Sequence, residues 1–64
     1  MTKVYRIYGK HKDQSRFKPM DLSEGIQVVN LIKASLVEET KITGLMEQLT
    51  KNKDWVFDAR EVAL

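Results

Sequence analysis

His11, Asp13 and Ser15 bring together, in one short stretch, the three side-chain types of a hydrolytic triad. Such a triad works only when the imidazole is buried, oriented by the acid and held by a rigid surround. These three are neighbours in a polar segment, residues 9–15, that opens with glycine and reads as a solvated loop. Glu38 and Glu39 are adjacent, so on a helix they point about 100° apart and cannot face each other across a substrate. They read as first-turn acids favoured by the helix dipole. Gly9, Gly25 and Gly44 are isolated, which leaves no glycine-rich loop for phosphate. With one histidine, His11, and no cysteine, neither a metal centre nor a thiol nucleophile is expected. A chain of 64 residues also has little room for a substrate pocket of the usual size, about 300–1,000 Å³. The expectation is a protein without catalysis, cofactor or small-molecule substrate.

The cations are more informative. Residues 1–18 hold Lys3, Arg6, Lys10, Lys12, Arg16 and Lys18 against Asp13 alone, a net charge of +5. Residues 19–64 hold five cations against eight acids, a net charge of −3, and the two parts sum to +2. The basic part also carries Tyr5, Tyr8 and Phe17. Clustered Lys and Arg bind phosphates with release of counterions, and aromatic or guanidinium planes stack bases. The same cations also suit the exposed face and edges of a small sheet, where they oppose aggregation.

The elements that must position these residues follow from pattern. Residues 3–8, rich in β-branched and aromatic side chains, predict a strand, and residues 16–20 a second, shorter one that ends at Pro19 or sits at a sheet edge. A helix is expected from Asp21, with Glu24 completing a capping box and Leu22, Ile26, Val29, Ile32 and Leu36 on one stripe. Ile26, Val28, Val29, Leu31 and Ile32 would equally suit a buried strand; the length and the cap favour helix. Ser35 and Glu38 form a second capping box, so the first helix breaks near Ala34. Ile42, Leu45, Met46 and Leu49 then mark a second helix, and residues 55–62 a last strand. The expectation is a single α+β domain over residues 1–64, with strand order ββααβ, or ββαβ if the helices are continuous. Its three-stranded sheet, an N-terminal hairpin plus the C-terminal strand, is covered on one face by one or two helices.

Period-two alternation sends Tyr5, Ile7, Phe17, Trp55 and Phe57 toward the helices. It leaves Arg6, Tyr8, Arg16, Lys18, Asp58 and Arg60 on the outer face, with Lys10 and Lys12 on an adjoining loop. The cations of that set, with Tyr8, form a candidate nucleic-acid or partner surface. Leu31 and Ala34 on the far side of the first helix, with Val56 and Val62 on the outer sheet face, form a second, apolar candidate for a dimer or partner. Without disulfide or metal, a core this small gains from oligomerisation. No apolar run approaches the ~20 residues of a membrane span, and the opening MTKVYRIYGK lacks the apolar stretch of a signal peptide, so a cytoplasmic address is expected. The reading is a non-catalytic binding module acting through protein contacts, self-association included, with nucleic-acid binding as the alternative. Its size and composition suit an accessory protein of a bacterium, a phage or a mobile element.

Overall fold

Residues 4–11 form a strand that is paired along both edges, and the fold is organised around it. The computed structural model describes residues 3–23 and 25–62. Five strands, β1 (Val4–His11), β2 (Lys18–Asp21), β3 (Gln27–Val28), β4 (Leu36–Glu38) and β5 (Trp55–Val62), form an antiparallel sheet with one helix, α1 (Glu39–Leu49). The architecture is α+β, as expected, with five strands where three are expected and a single α-helix confined to the second of the two helical stretches.

β5 pairs antiparallel with the whole of β1, from Val4 opposite Val62 to His11 opposite Trp55. The other edge of β1 is shared. β2 takes its C-terminal part, Tyr8 opposite Pro19 and Gly9 opposite Lys18. β4 takes its N-terminal part, Val4 opposite Glu38 and Arg6 opposite Leu36. Ser35 joins the two: its carbonyl accepts the Ile7 N–H at 3.1 Å, and its own N–H donates to Met20 C=O at 2.9 Å. Its hydroxyl accepts the Leu22 N–H at 3.0 Å and donates to Asp21 Oδ1 at 3.4 Å. Asp21 Oδ1 also accepts the Ser23 N–H at 2.9 Å and the Ser23 hydroxyl at 2.8 Å. Those bonds, the Ser23 N–H first and its hydroxyl second, hold the Asp21 carboxyl below its ordinary 3.8.

The helix expected from Asp21 is replaced by extended chain and a single 3₁₀ turn, Leu31–Lys33. Gly25 has φ +105°, which breaks any helix there, and the run Ile26, Val28, Val29, Ile32 is β-branched. Met20 opposite Val28 and Asp21 opposite Gln27 make β3 a short partner of β2. Asn30 closes the 3₁₀ turn by accepting the Lys33 N–H on Oδ1 at 3.1 Å. Glu24, expected in the first capping box, lies outside the described residues. Ser35, expected to cap a helix, lies at the strand junction instead, and α1 begins at Glu39, whose N–H donates to Lys3 C=O at 2.9 Å.

β4 and β5 both run antiparallel to β1, so they are parallel to each other, and α1 is the crossover between them. The last strand is therefore antiparallel to the first. Ile42, Leu45, Met46 and Leu49 are the half-covered positions of α1, and Leu49 shares a cleft with Trp55 and Phe57. The helix thus covers the sheet face that carries Ile7. Met20 and Ala34 complete the buried side chains there. Gly44 has open space where a Cβ would be, so no close backbone approach accounts for it. Gly44→Ala is expected to stabilise the chain by up to about 1 kcal/mol through helix propensity. Urea denaturation followed by circular dichroism tests this, and a lowered midpoint would contradict the open environment.

Candidate functional site

The sheet face away from α1 is built by alternation along β1 and β5. Register sets Val4 opposite Val62, Arg6 opposite Arg60, Tyr8 opposite Asp58 and Lys10 opposite Val56. Two guanidinium side chains therefore share one cross-strand position, an arrangement that repels unless something anionic intervenes. The Arg60 guanidinium carbon lies 4.3 Å from the centroid of the Tyr8 ring, and Arg60 Nε donates to Asp58 Oδ2 at 3.2 Å. Phe17 lies on the same side, with Lys10 Nζ 5.6 Å and the Arg60 guanidinium 5.9 Å from its centroid. Lys10 Nζ also donates to the Gln14 carbonyl at 3.0 Å, which holds it over the ring. Arg6 Nε is buried and has no hydrogen-bond partner among the described residues.

Phe17 is the main departure from expectation, since alternation had sent it into the core. With Tyr8 opposite Pro19 and Gly9 opposite Lys18, the residues that share the Ile7 face are Lys18 and Met20. Phe17 and Pro19 take the other. A side chain at residue 17 and one at residue 20 cannot both point inward on one strand, and Met20 fills the core over Gly9. The outer face thereby holds two aromatic rings, Tyr8 and Phe17.

Arg6, Tyr8 and Arg60 come together by alternation, and Lys10, expected on the adjoining loop, joins them because β1 runs on to His11. The other three candidates do not. Lys18 belongs by register to the helix-covered face. Arg16 and Lys18 line a separate open depression with Asp13, Gln14 and Ser15. Lys12 sits in the turn after β1, its N–H on Asp54 C=O at 2.9 Å and its Nζ 3.6 Å from Asp54 Oδ1. In the same turn His11 Nδ1 accepts the Asp13 N–H at 3.3 Å and lies 3.5 Å from Asp13 Oδ2, both on the exposed side of the turn. The His11 ring meets Trp55 edge-on, centroids 5.5 Å apart.

The apolar candidates divide as well. Leu31 is 51% exposed. Ala34, expected on the outside, is 7% exposed and belongs to the core, because Ser35 beside it is stitched between β1 and β2. Val56 is exposed on the outer face opposite Lys10, and Val62 is half-buried opposite Val4. Ile26, Val28, Ile32 and Leu36 are exposed too, although a helical stripe would have buried three of them. The signal that could have exposed them earlier is the β-branched run following Gly25.

No protein-family model, curated protein or solved structure matches this chain. Among the described residues no group of three or more His, Cys, Asp or Glu is placed to hold a metal ion. None of the described helices is long and apolar enough to cross a membrane. Two surfaces stand out: the cation–aromatic outer face, and the apolar segment of residues 26–36.

Proposed function

We propose that this chain is a non-catalytic binding module that acts through protein–protein contact, and that its first partner is a second copy of itself. One observation carries the reading. Among the described residues the buried hydrophobic side chains are Ile7, Met20 and Ala34, whereas Ile26, Val28, Leu31, Ile32 and Leu36 stay exposed along a single segment. The chain presents 4832 Å² to solvent, where a folded monomer of 7.4 kDa is expected to present about 4,200 Å². Burying that segment against its twin would supply the apolar area that a core this small lacks.

Ile32 is the natural probe, being 93% exposed and so free of any role in the monomer core. Sedimentation and light scattering are expected to show a dimer whose melting temperature rises with protein concentration. Ile32→Glu is expected to weaken association at least tenfold, since burying one Ile is worth about 1.5–3 kcal/mol, while leaving the circular dichroism spectrum unchanged. A monomer at every concentration, with a concentration-independent melt, would eliminate self-association.

A further inference from the structure

The outer face of the sheet has no part in that dimer reading, and its chemistry points to another ligand. We propose that it binds single-stranded nucleic acid, with phosphate held between Arg6 and Arg60 and bases stacked against Phe17 and the Arg60–Tyr8 pair. Three observations converge. Arg6 and Arg60 stand directly opposite each other, so an anion between them converts a repulsion into two attractions. Arg6 Nε–H is covered and unmet among the described residues, so the terminal nitrogens of its guanidinium are the donors left for a phosphate oxygen. Arg60 lies over Tyr8 with Nε fixed by Asp58, and that bond leaves its terminal nitrogens as donors and its outer plane as a stacking surface.

Charge alone would suit any polyanion. The rings decide between them. Tyr8 and Phe17 are half-exposed on a face no helix covers, and each lies beneath a cation. Unpaired bases offer flat faces to such a platform, whereas bases in a duplex are already stacked on one another. The carboxylates of an acidic peptide would meet the cations and leave the ring faces unused. Asp58 does not close the site, because its carboxylate takes a single Arg60 nitrogen, Nε, at 3.2 Å.

The test is fluorescence anisotropy of the intact chain with a labelled oligothymidylate of about 12 nucleotides, titrated from about 20 to 200 mM salt. With Arg6, Lys10 and Arg60 engaged, log K is expected to fall by about 2 per decade of salt. Arg60→Gln should weaken binding about tenfold and make that slope shallower by about 0.7. Phe17→Leu should also weaken binding about tenfold, but with the slope unchanged, which a charge-only surface would not show. Circular dichroism confirms that each variant is folded, and either one alone suffices for the comparison. Undetectable binding at low salt would overturn the proposal. So would equal or tighter binding of the matching duplex. Displacement by polyglutamate as effective as by unlabelled oligonucleotide, with Phe17→Leu binding like the parent, would assign the face to an acidic protein instead.

Discussion

Ile7→Ala is expected to abolish cooperative unfolding at 25 °C, leaving a chain without a sigmoidal urea transition. Ile7 and Met20 are both 0% exposed, and Ile7 sits on the central strand, flanked by β5 and by the Ser35 junction. Removing three carbons from such a position costs about 2–5 kcal/mol, from lost transfer energy and the cavity left behind. A domain of this length has a total stability of about 3–10 kcal/mol, and a core this small belongs at the lower end. The loss is then comparable with the whole. Ile7→Val serves as the control, with an expected cost of about 1 kcal/mol and a retained transition. If Ile7→Ala unfolds with the parent midpoint, the core does not rest on this residue.

Gly9→Ala carries the second large effect, and its cause is a collision. Gly9 is buried at a cross-strand position, opposite both Phe57 and Lys18. A Cβ there would lie 3.0 Å from Met20 Cγ and 3.0 Å from Phe57 Cδ1, tighter than side chains tolerate without moving. The expected cost is about 1–3 kcal/mol, from displacing one or both of these groups. The substitution is best measured in the Gly44→Ala background, where added helix stability keeps the transition observable. A midpoint equal to or above that of the background would show that the space over Gly9 is looser than the geometry indicates.

Much of the frame was legible in the sequence because it is written locally. Residues 3–8 and 55–62 alternate as strands, and Trp55–Val62 has the expected bounds. The spacing of Ile42, Leu45, Met46 and Leu49 located α1 for the same reason. Residues 21–34 were misread because Leu22, Ile26, Val29, Ile32 and Leu36 fit a helical stripe as well as any true helix does. Gly25 and the β-branched run after it speak locally against a helix, but the larger cause is non-local: β1 offers half an edge to β2 and half to β4, and the chain must stay extended to use both. No spacing within the segment records that offer. The site was legible to the same degree. Arg6, Tyr8 and Arg60 follow from alternation on long strands, whereas Lys10 was hidden by Gly9, which reads as a loop opening but stays in β1. Phe17 depends on the register of a short strand, where a shift of one residue reverses its side.

The pairing of Val4 with Val62 also fixes the order in which the molecule can be made. The central strand leaves the ribosome before the other described strands, and β5, the neighbour that lines its entire length, leaves after them. Until then β1 can hold only β2 and β4, and one flank of a Val-, Tyr- and Ile-bearing strand stays open to any other chain that meets it. A chain stalled or clipped after α1 is therefore more prone to aggregate than the finished fold. Folding of this sheet waits for β5, and such long-range pairing makes for slow folding at this size.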